Sequence, residues 1–107
     1  MEAKPQDLQN YLTEDGRSPF LEWLDGLDAK TRGIVTVRLS RVAQGNFGNS
    51  HSVGDGVSEL VIDVGPGYRV YFARDGDTVV VLLTGGAKKS QSKDIKNAKA
   101  YWKDYCA

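Results

Sequence analysis

The chain is 107 residues long, with 40% hydrophobic residues, 26% charged residues and a formal net charge of zero. That length suits one domain around one core, and no apolar run approaches the roughly 18–20 residues needed to cross a bilayer. A lone cysteine, Cys106, excludes an internal disulfide, and no His/Cys set has metal-ligand spacing, so neither a metal nor a cofactor is expected.

The opening stretch, Met1 to Asp7, is too polar for a signal peptide, and the expected location is the cytoplasm with no membrane contact. Residues Asp7 to Leu12 are a short extended candidate, followed by a turn in which Gly16 can take positive φ. Ser18-Pro19 opens a helix, with serine as N-cap and proline at the first helical position. Phe20, Trp23, Leu24 and Leu27 share one face of it. Asp28 can cap a second helix from Ala29 to about Gln44, whose core side is read as Ile34, Val35, Val37, Leu39 and Val42. Gly45-Asn-Phe-Gly-Asn49 stops it, and His51 falls in a loop rich in Gly, Ser and Asn.

The hydrophobic period then changes. Val57 to Asp63 reads as a strand, Gly65-Pro66-Gly67 as a turn and Tyr68 to Arg74 as a second strand. Asp75-Gly76-Asp77 is a hairpin turn. Thr78 to Thr84 is a third strand, apolar throughout and hence interior, and Gly85-Gly86 ends it. Ser90 or Ser92 can cap a last helix reaching about Tyr105, with Ile95, Ala98, Trp102 and Tyr105 as its apolar stripe. The expected architecture is one α+β domain over residues 1–107: strand, two helices, three antiparallel strands, helix. The helices pack on one face of a curved antiparallel sheet, and the other face is open to a partner.

Charge is unevenly spread along this order. From Gly65 onward eight Lys/Arg oppose four acids, whereas the first 64 residues hold six and ten. Such asymmetry builds a basic face, which attracts polyanions. Three cations stand out: Arg69 in the middle strand, and Lys88 and Lys89 after the Gly-Gly pair.

The segments Gly45-Asn-Phe-Gly48, Gly54-Asp-Gly-Val-Ser-Glu-Leu60, Gly65-Pro-Gly-Tyr-Arg-Val-Tyr71 and Leu82-Leu-Thr-Gly-Gly-Ala-Lys-Lys-Ser-Gln-Ser-Lys-Asp-Ile95 resemble the HigB-like branch of the RelE/ParE toxin superfamily, the addiction module killer proteins. The resemblance runs from about Ser18 to Tyr105. It implies a toxin fold, a cognate antitoxin that is a small helix-turn-helix DNA-binding protein, and metal-free cleavage of mRNA in the ribosomal A site, so that ribosome and mRNA are the expected partners. Two positions depart from the pattern. Relatives commonly read Glu-Leu-Arg where this chain reads Glu59-Leu60-Val61, and Gly-Gly-Asp-Lys where it reads Gly85-Gly86-Ala87-Lys88. The missing arginine would be a phosphate contact.

Metal-free RNA cleavage needs a base for the 2′-hydroxyl, donors for the charge that develops on the phosphoryl oxygens, and an acid for the leaving 5′-oxygen. Arg69 is the first candidate for the phosphate, because a guanidinium donates two bonds at once; the alternative is an ion pair with Glu59 or Asp63. Lys88 and Lys89 either hold phosphate or solvate a loop. Gln91 either bonds RNA or belongs to the first turn of the last helix. Tyr71 shares a face with Arg69 by strand alternation and either stacks on a base, donates a proton or packs under the last helix. His51 suits acid–base work because imidazole titrates near neutral pH; otherwise it is an exposed loop residue. Glu59 is a candidate base. A gyrase-poisoning ParE-like protein and a non-catalytic relative are the competing functions.

Overall fold

The computed structural model describes residues 3–107; Met1 and Glu2, the start of the polar opening stretch, lie outside the described residues. The elements run β1 (Asp7–Asn10), α1 (Pro19–Asp25), α2 (Ala29–Ala43), β2 (Ser50–Gly54), β3 (Val57–Ile62), β4 (Tyr68–Asp75), β5 (Val79–Ala87) and α3 (Gln91–Cys106), with a single 3-10 turn at Lys88–Ser90 before α3. Five strands form one sheet in the order β1-β5-β4-β3-β2, and β1 runs parallel to β5 while all other neighbours are antiparallel. The expected antiparallel sheet is thus a mixed, open one. It has one strand more than the sequence reading gave, since Ser50–Gly54 pairs with β3 instead of forming a loop.

The helix starts follow the local chemistry. Ser18 Oγ accepts from the Leu21 amide at 3.1 Å, and Asp28 accepts from the Thr31 amide at 3.1 Å. Each satisfies an amide that the first helical turn leaves without a partner. Ser90 does not cap α3 with its side chain; its hydroxyl instead meets the Ala87 carbonyl at 3.1 Å and the Asp94 carboxylate at 2.5 Å.

Strand alternation sends two sets of side chains to opposite faces, and both faces are covered. On one, Leu60, Ile62, Val70, Phe72, Val80 and Leu82 pack with Phe20 of α1 and with Val35, Leu39 and Val42 of α2. On the other, Val57, Tyr71, Ala73, Val81 and Leu83 pack with Ala98 of α3 and with Tyr11. The expectation of helices on one face and a free second face is therefore corrected: α3 covers the second face, because its stripe of Ile95, Ala98 and Trp102 needs an apolar surface of its own. Val37, read as core, is 51% exposed.

A bulge decides how α1 and α3 approach the sheet. Tyr71 pairs with Thr84 but Phe72 pairs with Leu82, so Leu83 is an extra residue on β5. The alternation of β5 reverses there, and Gly85 and Gly86 continue the strand to Ala87 rather than ending it. A Cβ on Gly85 would run into the Trp23 indole of α1, and one on Gly86 into the Asp94 carboxylate of α3. Adjacent glycines on one strand thus let a helix close in from each side.

Candidate functional site

Two rows of side chains cross the sheet on the α3 face. In the first, His51 on β2 pairs with Glu59 on β3, and Glu59 with Tyr71 on β4. In the second, Val61 on β3 pairs with Arg69 on β4, and Arg69 with Gly86 on β5. Directly opposed residues in a sheet share a face, so the pairing brings His51, Glu59, Arg69 and Tyr71 together from three strands.

Glu59 is the hub. Its side chain is almost fully buried, 3% exposed, and its oxygens are contacted from three directions. His51 Nε2 lies 2.7 Å from Oε1, and Arg69 Nε lies 3.6 Å from Oε2. Gln91 Nε2, from the first turn of α3, donates to Oε2 at 3.1 Å and to Oε1 at 3.3 Å. A carboxylate removed from water is expensive unless charges and donors surround it, and these three residues supply them. The imidazole is 56% exposed, so it carries the buried cluster out to solvent.

Arg69 is 13% exposed and its Nε has no hydrogen-bond partner, the ion-pair distance being too long for one. Its Nη1 reaches the neighbourhood of Gly67, where the Lys88 Cβ also lies, and the Lys88 amide donates to the Gly67 carbonyl at 3.0 Å. Lys88 and Lys89 sit in the 3-10 turn, both exposed. One continuous cationic surface is the wrong picture: Arg69 faces a buried carboxylate, whereas the two lysines stand in solvent beside it.

Tyr71 is fully buried under α3, and its hydroxyl has no hydrogen-bond partner. Burial above all, and then the nearby Glu59 and Asp94 carboxylates, hold its phenol protonated far above the usual range. No face of this ring is open for a base. Gln91 belongs to the first turn of α3 and also reaches the cluster, so its two sequence readings are compatible.

The sequence reading missed β2, and with it the His51–Glu59 row. The only signal was the weak alternation of Ser50-His51-Ser52-Val53, where Val53 alone turns to the core. It also missed Asp94, whose carboxylate lies over Gly86 and bonds Ser90. Among the described residues no three His, Cys, Asp or Glu side chains cluster so as to hold a metal ion, and no helix is long and apolar enough to cross a membrane.

Comparison with known proteins agrees with the motif-bearing part of the chain. The family model for phage-derived Gp49-like proteins (DUF891) matches residues 22–103, from α1 through most of α3. An uncharacterised protein of Haemophilus influenzae (strain Rd) is 46% identical over 81 residues, which cover 75% of this chain and 82% of that protein. Every residue of the Glu59 cluster lies inside the matched span, and the chain belongs to the phage-derived Gp49-like family, a family related to toxin–antitoxin systems.

Proposed function

We propose that this protein is the toxin of a toxin–antitoxin pair, of the HigB-like branch of the RelE/ParE toxins, and that it cleaves mRNA on the ribosome without a metal. The observation that carries the reading is the exposed His51 imidazole backed by the buried Glu59 carboxylate next to Arg69. With Nε2 turned to Glu59, Nδ1 is the nitrogen left for substrate. It takes the 2′-hydroxyl proton as that oxygen bonds to phosphorus. Arg69 and Lys88 offset the charge that develops on the phosphoryl oxygens, and the Lys88 ammonium protonates the 5′-oxygen as the P–O5′ bond breaks. The products are a 2′,3′-cyclic phosphate and a 5′-hydroxyl end. Lys89 and Gln91 hold the RNA strand. Glu59 orients the imidazole, and Tyr71 supports Glu59 and Arg69 from beneath. The partners in this reading are the ribosome with its mRNA and an antitoxin, a small helix-turn-helix DNA-binding protein, and the site of action is the cytoplasm.

The test is to add the protein to a translating extract and map mRNA ends. Expected are cuts at the A-site codon that fall by about 10²–10⁴-fold with His51→Ala and are lost with Arg69→Ala. Intact messages at doses that stop growth would refute RNA cleavage. They would favour gyrase poisoning, a reading that one observation supports: the Arg69 charge is already matched by Glu59. Accumulated gyrase cleavage complexes in a supercoiling assay would identify that activity.

A further inference from the structure

Helix α3 runs from the Glu59 cluster to the β2–β3 turn. At its start Gln91 reaches Glu59, whose carboxylate also meets His51. Further along, Lys99 Nζ lies beside Gly54 and 3.4 Å from Asp55 Oδ2. Both acids of the helix are engaged: Asp94 accepts from Ser90 Oγ, and Asp104 accepts from the Tyr11 hydroxyl at 2.6 Å. Lys96, Lys99 and Lys103, at spacings of three and four, share one face of it. Among the described residues Lys96 and Lys103 enter no ion pair, so the unmatched charge on this face is cationic.

Asp55, Lys99, Ala100, Trp102, Lys103 and Cys106 line an open groove of about 750 Å³, within the range of about 300–1,000 Å³ usual for small-ligand sites. The β2–β3 turn is shaped to admit the Trp102 ring. Gly54, Asp55 and Gly56 take φ values of 98°, 55° and 82° in succession. A Cβ on Gly56 would come within 2.7 Å of the indole Nε1. Asp55 is the one non-glycine residue of positive φ among the described residues, and such departures gather where a surface is used. Tyr105 stacks on the indole, with ring centres 5.1 Å apart and planes 14° from parallel, and its own hydroxyl donates to Asp75 at 2.7 Å. The indole is thus fixed in place yet only half-buried. A fixed aromatic ring rimmed by unmatched ammonium groups suits a base and its phosphates.

We propose that this groove is a nucleobase subsite for single-stranded RNA, a deepening that rests on RNA being the substrate. A base lies against the Trp102 indole, and Lys96 and Lys103 take the adjoining phosphates. The Asp55 carboxylate is matched by Lys99 and so does not repel them. From His51 to Asp55 the strand spans ~13 Å, so the base in the groove belongs to a nucleotide beside the one cut. Every base has a π-face, so the subsite holds the strand without choosing its sequence. A duplex is excluded, because its bases are already stacked on one another.

The test titrates the isotope-labelled full chain with a single-stranded 2′-O-methyl RNA of about eight nucleotides, which lacks the hydroxyl needed for cleavage. Expected is a saturable NMR shift of the Trp102 indole N–H and of the amides of residues 96–103, with the Trp23 indole unmoved. The double variant Lys96→Ala, Lys103→Ala should lower the log–log salt slope of binding by about 1.4 and melt with the parent, both side chains being exposed. Trp102→Leu should weaken binding about tenfold. Ala100→Glu, which places a carboxylate in the groove from an exposed helical position, should do the same without disturbing the packed ring. The proposal is overturned by a silent Trp102 indole, by equal binding of the pre-annealed duplex, by an unchanged salt slope, or by affinity that both groove variants retain. It is also overturned if the same shifts follow protein concentration alone, which would mark a second copy of the chain in the groove. Saturable shifts at Trp102 with messages left intact on the ribosome would uphold the subsite and refute cleavage, whereas cleavage with a silent Trp102 would overturn the subsite alone.

Discussion

Glu59 stands between His51 and Arg69, 2.7 Å from the imidazole Nε2 through one oxygen and 3.6 Å from the guanidinium Nε through the other. Both Glu59 and Arg69 are largely out of water, so removing the carboxylate leaves a mostly buried cation without its counter-charge. Glu59→Ala is expected to lower stability by about 3 kcal/mol, and Glu59→Gln by less, since the amide still offers an oxygen to Arg69. Urea unfolding measures both. Equal midpoints for Glu59→Ala and the parent would mean that the pair does not form in solution.

The glycine pair on β5 gives a prediction with two separable outcomes. Gly85→Ala forces Trp23 to move, and Gly86→Ala forces Asp94 to move. Each should cost about 1–3 kcal/mol, the usual range for overpacking. A smaller residue at position 23 should rescue Gly85→Ala and leave Gly86→Ala unchanged. Denaturation of the single and double variants reads the difference.

The Tyr71 hydroxyl is buried without a partner, so its removal forfeits no hydrogen bond. Tyr71→Phe should leave stability unchanged or raise it by up to about 1 kcal/mol. A loss larger than that, seen in the same urea titration, would show that the hydroxyl is bonded in solution.

Tyr11 gives the fold an alkaline limit. Burial, then the 2.6 Å hydrogen bond to Asp104 and the charge of that carboxylate, push the Tyr11 phenol up to about 12 from its ordinary 10.0. The folded state therefore holds this proton more tightly than the unfolded chain does. The resulting stabilisation is fully present below pH 10 and is lost as the pH rises through about 12. Tyr71, shifted in the same direction, adds to the loss. The urea midpoint should fall over this range, and less steeply in Tyr11→Phe. Parallel pH profiles for the two proteins would contradict it.

Val61 pairs with Arg69 and sits half-buried on the same face. Arginine at this position would place a second guanidinium beside the first. Val61→Arg should tighten binding of a single-stranded RNA and steepen its log–log salt dependence by about 0.7. An unchanged slope would mean that position 61 does not face the nucleic acid.

Much of the fold can be read in the residues themselves. Ser18-Pro19 and Asp28 announce their helices because capping is a local transaction between a side chain and amides three residues on. The strands at β3, β4 and β5 show in their β-branched and aromatic runs, and the Asp75-Gly76-Asp77 turn between β4 and β5 shows in its glycine, whose φ is +74°. Alternation correctly sends Phe72 to the face opposite Tyr71. The ion pair of Arg69 with Glu59 is one of the two readings that the sequence offers for this arginine.

Composition and spacing by themselves determined the three helices and the strands other than Ser50–Gly54, because those preferences arise from neighbours along the chain. Only the tertiary structure decided that Ser50–Gly54 joins the sheet, since its polar residues acquire a strand's hydrogen bonds only once β3 lies beside them. Only the tertiary structure placed the extra residue at Leu83, which turns Gly85 toward Trp23 and Gly86 toward Asp94. Likewise His51 met Glu59, and Glu59 met Gln91, through pairing and packing between segments far apart in the chain. The physical reason is the same in each case: a backbone hydrogen bond or a buried charge is satisfied by a partner that local sequence does not specify.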